Sequence, residues 1–248
     1  MKTLSASVWM VMAALLLSGC LFPDSERAEN QIPYEDQIQS VQTAVHQYRE
    51  STQVLPIQTR DAETSVFMRY PVNFRTLVPG YLQSAPGNAF ENGGTFQYVL
   101  TNVEEEAEVK LVDLRSSRKL QEISRRIDSY RSSNRFAPVN GQVGPGVLEL
   151  NYEALRYDEV ATVQSPFNPN HKLPIHMATN GDLIIDYRID VMYFIEEYGM
   201  DGFSEGDDLR WLLVEHSPFV PAHSKPITVK DGEVVYMDES ELSDLSQN

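Results

Sequence analysis

The sequence predicts an α+β protein made of two to three tandem helix–turn–β-hairpin units packed together. Three observations lead there. Two stretches, 34–51 and 117–133, carry apolar residues at helical spacing. Short apolar runs are joined in pairs by turn-forming residues, the pattern of antiparallel hairpins. The phrase "SPFNPNHKLPI" (165–175) returns as "SPFVPAHSKPI" (217–227), with Ser, Pro, Phe, Pro, His, Pro and Ile at identical offsets. One helix with one two-stranded ribbon does not bury enough apolar surface to stand alone in water. Neighbouring units must therefore share cores, and helices laid on antiparallel hairpins give an α+β architecture.

The first unit spans 35–116. Its helix sets Ile38, Val41, Val45 and Tyr48 on one face. "VNFRTLVPGYL" (72–82) reads as a short turn of helix stopped by Pro79-Gly80, and "SAPGNAFENGG" (84–94) is dense in turn formers. "TFQYVLTN" (95–102) and "EVKLVDLR" (108–115) read as strands joined through the acidic "VEEEA" (103–107).

The second unit, 117–188, begins with a helix that aligns Leu120, Ile123, Ile127 and Tyr130. Tyr130-Arg131 with Ser133 echoes Tyr48-Arg49 with Ser51, and Pro138-Val139 echoes Pro56-Ile57 at the same separation. "NYEAL" (151–155) echoes "NFRTL" (73–77). "LPIHMAT" (173–179) and "DLIIDYR" (182–188) take the strand positions around the tight turn Asn180-Gly181.

The third unit, 189–237, is shorter. "IDVMYFIEEYG" (189–199) reads as a helix capped by Gly199. "DDLRWLLVE" (207–215) reads as the short helical piece, and "ITVKDGEVVYM" (227–237) as a hairpin around Asp231-Gly232. The doubled phrase is thus expected to be the turn leading into the hairpins of the second and third units. Its prolines hold the chain extended up to the first strand.

The ends are read separately. Lys2 followed by "VWMVMAALLL" (8–17) and "LSGC" (17–20) has the form of a lipoprotein signal peptide over 1–19, cut between Gly19 and Cys20. Cys20 is the expected site of a diacylglycerol, with palmitate as an acyl chain, and two chains hold a protein to a membrane stably. Residues 20–34 read as the lipidated tether, polar and broken by proline. Residues 238–248 read as an acidic tail.

Composition excludes several function classes. The chain carries a formal charge of −16, which becomes −17 once Lys2 leaves with residues 1–19. A body so acidic is a poor match for nucleic acid, whose phosphates require Lys and Arg. With Cys20 as the lone cysteine, disulfides and Cys-based zinc sites are not expected. There is no Gly-rich phosphate loop, no Gly-x-Ser-x-Gly and no His-Glu-x-x-His. No enzymatic activity and no cofactor are expected.

His171 and His223 hold matching places in the two phrases and are the sharpest metal candidates. Neither has the closely spaced second ligand of a usual site, so hydrogen bonding of each imidazole to its turn backbone is the plainer expectation. His46, His176 and His216 read as surface or strand residues. Asp113-Leu114-Arg115 and Asp186-Tyr187-Arg188 read as ion pairs pinning a strand to the next helix. The glutamates at 104–106 read as a solvated tip, since calcium needs more oxygen ligands than such a run can aim inward. Phe96, Tyr98, Tyr187, Tyr193, Phe194 and Trp211 read as core.

Two resemblances follow from these residues. Over about residues 38–102, the helix ending in "YR", "FRTLVPGYLQSAPGNAF" and "TFQYVL" resemble the globular part of type IV pilins and pseudopilins, which implies pilin-like units. Pilins also carry a long polymerising apolar helix, where this chain has a lipobox and a tether. Taken whole, the lipobox with "PYEDQIQSVQTAV", "PGNAFENGG" and "DYRID" resembles the uncharacterised YphF-like lipoproteins of Gram-positive spore-forming bacteria. That likeness implies lipidation at Cys20, and it supplies no catalytic or ligand residue to carry over.

The expected function is that of a lipid-anchored protein on the outer face of the cell membrane. It acts as a non-enzymatic binding or scaffold protein of the envelope, with another envelope protein as partner, a small ligand as a further option, and no nucleic acid. The alternative is the substrate-binding component of an ABC-type transporter. Such proteins usually show alternating βα units, whereas this chain shows hairpins.

Overall fold

The computed structural model describes residues 34–238, so the signal peptide, Gly19, Cys20, the tether and nearly all of the acidic tail lie outside the described residues. Helix and antiparallel sheet are both present, and the class is α+β. Helix α1 (Tyr34–Thr52) buries Val41, Ala44 and Val45, with Ile38 and Tyr48 packed at the margin. A one-turn α2 (Phe74–Leu77) starts at Asn73, whose side chain accepts the Arg75 amide. Strands β1 (Phe96–Thr101) and β2 (Glu108–Asp113) form the first hairpin, registered from Phe96 opposite Asp113 to Thr101 opposite Glu108.

Helix α3 (Leu114–Asn134) buries Leu120, Ile123 and Ile127. It leads into β3 (Val139–Gly144), β4 (Val147–Leu150), β5 (Thr162–Gln164), β6 (Lys172–Ala178) and β7 (Leu183–Ile185), a five-stranded sheet ordered β3-β4-β6-β5 with β7 also on β6. The sequence predicts a single hairpin here, and β3, β4 and β5 are additional. Every residue of β3 from Val139 to Val143 except the last is exposed, so no inward–outward alternation marks it in the sequence. Helices α4 (Arg188–Tyr198) and α5 (Arg210–Glu215) precede the last hairpin, β8 (Ile227–Lys230) and β9 (Glu233–Tyr236). Its turn places Asp231 at φ 52° and Gly232 at φ 81°, the left-handed pair that a two-residue hairpin loop requires.

The strands expected over 108–115 and 182–188 stop earlier, at Asp113 and Ile185. In both places a carboxylate accepts the amide two residues on and turns the chain into a helix: Asp113 from Arg115, Asp186 from Arg188. At the first triplet Asp113 is the side-chain cap of α3, and capping wins over strand propensity there; at the second the cap position is Tyr187, and Asp186 acts from the residue before it.

Two large cores result. One lies between α1, α2 and the first hairpin, around Val41, Leu77, Tyr98, Leu100 and Leu111. The other lies between α3, the five-stranded sheet, α4 and α5, around Ile123, Leu173, Ile185, Val191 and Leu213. A smaller cluster of Phe67, Val99, Val112, Val214, Val220 and Ala222 joins them.

The second copy of the phrase crosses this junction as a strap. The Leu111 amide donates to Pro218 and Leu111 accepts from the Val220 amide, at 2.8 and 3.0 Å. Three residues later the His223 carbonyl accepts the Ile185 amide at 2.8 Å. Residues 218–223 thus bond the open side of β2 to β7. Phe219 inserts into the first core, its ring 5.8 Å from Tyr34 and 5.5 Å from Phe96.

Candidate functional site

Three Asp-x-Arg triplets fold into the same clamp. Arg115 donates its Nε and Nη2 to the Asp113 carboxylate, at 3.0 and 2.6 Å. Arg188 does so to Asp186 and Arg210 to Asp208, with closest approaches of 2.7 and 2.6 Å. The third triplet, Asp208-Leu209-Arg210, went unread in the sequence, although "DLR" stands at both 113–115 and 208–210. Burial alone would raise Asp186, but hydrogen bonds from His176 and Arg188 outweigh it and hold the carboxyl well below the usual range. The Arg188 cation also lies 4.5 Å over the Tyr236 ring, a favourable cation–π geometry.

The two phrase histidines have parted ways. In both copies the leading serine caps its turn: Ser165 Oγ accepts from Phe167 and Asn168, and Ser217 Oγ from Phe219. Beyond that point the imidazoles bond to side chains rather than to the turn backbone. His171 Nδ1 lies 2.6 Å from Asp190, a fully buried carboxylate that also accepts Ser165 Oγ at 2.8 Å. Burial is the chief influence on Asp190 and raises its carboxyl, despite the hydrogen bonds from His171 and Ser165. His223 Nε2 lies 2.8 Å from Ser117 Oγ. Burial, with the positive charge of Arg60, lowers the His223 imidazole, and Asp182 opposes this weakly.

His223 lines a cleft of about 630 Å³, which opens along the junction of the two cores. Four segments wall it: residues 63–66, the first turns of α3 with Ser117, Gln121 and Ser124, the β6–β7 turn with Asn180 and Asp182, and residues 223–226. The lining is mixed: Thr64, Ser65, Ser117, Gln121, Ser124, Asn180 and Ser224 offer hydroxyls and amides, Glu63, Asp182 and Lys225 bring charge, and Val66, Leu120, Leu183 and Ile184 supply an apolar wall. Such a volume suits a small organic ligand or a short peptide segment. His223 holds a left-handed backbone, φ 55°, and strain of this kind gathers at ligand sites. Arg210 reaches the rim already bound to Asp208 and Ser224.

The remaining expected residues lie apart from this cleft. His46 borders a smaller hollow with Arg49, Glu50 and Glu105. His176 sits on β6 with Nε2 3.5 Å from Asp186 and with a buried Nδ1 that has no hydrogen-bond partner among the described residues. His216 stacks on Tyr198 at 4.0 Å. Among the described residues no group of three or more His, Cys, Asp or Glu side chains is placed to hold a metal. Tyr98, Tyr187 and Phe194 are buried as expected, whereas Tyr193 is 38 % exposed on α4. Among the described residues no helix is long and apolar enough to cross a membrane.

The Ser117–His223 contact joins two groups that serve as nucleophile and base in hydrolases, but a base also needs an orienting group on its second nitrogen. Among the described residues none bonds to Nδ1 of His223.

No curated protein and no solved structure matches the chain. The family comparison is positive for one segment, which begins at the first residue of α1 and ends at Asp113, the cap of α3: residues 34–113, roughly a third of the chain, match the YphF family N-terminal domain.

Proposed function

We propose that the protein is an extracytoplasmic lipoprotein, held to the membrane through Cys20, that works as a non-enzymatic binding or scaffold protein of the envelope. The observation that carries this reading is the 630 Å³ cleft at the junction of two cores, whose lining mixes hydroxyls and amides with charged and apolar side chains. The lipobox "LSGC" (17–20) and the YphF-type segment are consistent with the anchored half of the proposal. We further infer that the three helix–hairpin passes descend from one unit. Support comes from paired local bonds: the Asn73 amide donates to Pro56 and the Asn151 amide to Pro138, at 2.7 and 2.8 Å. The pilin likeness remains part of the same inference.

The cleft also favours the second reading, a transporter's substrate-binding component, because its volume fits a small molecule. A thermal-shift screen of the purified protein against sugars, peptides, nucleotides and peptidoglycan fragments separates the two. A ligand at 100 times its dissociation constant adds about 2.7 kcal/mol. A hit that is lost in Gln121→Leu supports the cleft, and a small-molecule hit of that kind supports the transporter reading. Hits unaffected by that substitution, or none at all, would remove the cleft from the proposal. The anchor has its own check. Cys20→Ala is expected to leave the chain unlipidated and uncleaved, and normal processing of that variant would refute lipidation at Cys20.

A further inference from the structure

Positive charge is unevenly placed in this acidic protein. Seven of its 20 Lys and Arg residues fall within residues 114–135, against only Glu122 and Asp128, so this short span carries a net +5 in a chain of −16. The span is α3 and its cap, about 31 Å of helix. Part of the charge is neutralised locally: Arg115 pairs with Asp113, and Lys119 and Arg126 share Glu122. Arg118 and Arg125, both exposed and two helical turns apart, have no ion pair among the described residues, and neither does Arg156 on the adjoining turn.

Between α3 and that turn lies a hollow of about 480 Å³, bordered by Arg126, Ser129, Ser133, Asn134 and Arg156, with no acidic residue in its lining. Arg126 is fixed in place. It donates to the Leu155 and Arg156 carbonyls at 3.1 Å and lies 4.1 Å over the Tyr157 ring. Arg156 itself holds a left-handed backbone, φ 62°, in the turn closed by its amide to Glu153. Around one hollow stand the unpaired Arg156, serine hydroxyls and Arg126, whose contact with Glu122 is long, 3.6 Å, and solvent-exposed; together they are a donor set that recognises a phosphate oxygen cluster.

We propose that α3 and this hollow bind a chain-like phosphodiester polymer, one phosphate seated between Arg126 and Arg156 and its neighbours running along Arg125 and Arg118. Shape selects a thread over a sheet. The ridge is one helix wide; exposed Glu153 shares the turn of Arg156, and exposed Asp158 and Glu159 follow that turn in sequence. A flat anionic membrane would press those carboxylates against its headgroups, whereas a single thread has to pass only Glu122, already held by Lys119 and Arg126.

The test measures binding of a synthetic glycerol-phosphate oligomer to the full-length protein and to its Arg125→Gln/Arg156→Gln variant. Thermal melting confirms that both are folded, and Arg75→Gln, on α2, serves as the control. With about four phosphates contacted, raising salt from about 50 to 200 mM should weaken binding about fiftyfold. The double variant should bind at least about tenfold more weakly with a shallower salt slope, and the control should bind like the parent. No binding at low salt, or equal binding by the double variant, overturns the proposal. Two further arms decide the polymer's identity. Arginine-dependent binding to phosphatidylglycerol vesicles over phosphatidylcholine ones would reassign the ridge to a membrane. Tighter binding of duplex DNA with the same number of phosphates would reassign it to nucleic acid.

Discussion

Replacing Phe219 by Ala is expected to lower stability by about 3–5 kcal/mol, the usual cost of deleting a buried phenyl group. For a chain of this size that is a fall in melting temperature on the order of 10 °C. The ring is 8 % exposed and belongs to the first core although its residue lies more than a hundred positions downstream of that core's last strand. Its loss removes contacts to Tyr34 and Phe96 and loosens the strap at Leu111. Trp211, whose ring lies 4.8 Å from Phe67 at the junction, supplies the optical probe. Its emission should shift to the red at lower denaturant than the far-ultraviolet signal of the helices, because the junction opens first. A loss below about 1 kcal/mol, with the two signals coincident, would show that Phe219 does not hold the two cores together.

Asp190→Ala is expected to cost about 2–5 kcal/mol, because deleting a buried acceptor leaves two hydrogen-bonding groups unsatisfied. The substitution strips His171 and Ser165 of their acceptor at once. Asp190→Asn keeps a carbonyl oxygen there and should cost markedly less. The pair of variants also reads out the raised carboxyl. Asp190 holds its proton more tightly folded than unfolded, so the stability it contributes is full below the ordinary carboxyl value of 3.8 and declines as pH rises through the folded value. That decline is absent in Asp190→Asn. The stability gap between parent and Asn variant should therefore narrow as pH rises through the acid range, as followed by urea unfolding. A gap that widens instead would mean that the carboxylate, not the acid, is the form the fold prefers.

Much of the fold is legible because its signals are local. The 3.6-residue period of Val41, Val45 and Tyr48, and of Leu120, Ile123 and Ile127, marks α1 and α3. Asn180-Gly181 and Asp231-Gly232 mark two hairpin turns, and Gly199 closes α4 with a φ of 81°. What escaped is non-local. Strand β3, "VNGQVG", is mostly exposed and rich in glycine, so it shows neither alternation nor apolar bulk, and only its pairing with β4 makes it a strand.

The cleft is less legible still, since its walls come from segments as distant as residues 63 and 226. The two phrase histidines make the same point. Their surroundings in sequence are nearly identical, yet Asp190 lies 19 residues from one and Ser117 lies 106 residues from the other. Chemical fate is set by the partner, which periodicity does not encode. The basic ridge was in plain view as composition, but the net charge of the whole chain concealed a segment of opposite sign.

The strap has a consequence for how the chain matures. A polypeptide emerges N-terminus first, from a ribosome or a translocation channel, so α1 through β2 is complete long before residue 217 appears. Until then the Leu111 edge of β2 has no partner and Lys110 lacks the Val214 and Ser217 carbonyls that later receive it. Newborn chains stalled before the strap would carry a raw sheet margin, a template for pairing with a neighbour. Delivery of the last thirty-odd residues is thus also the step that seals the first half against its own copies.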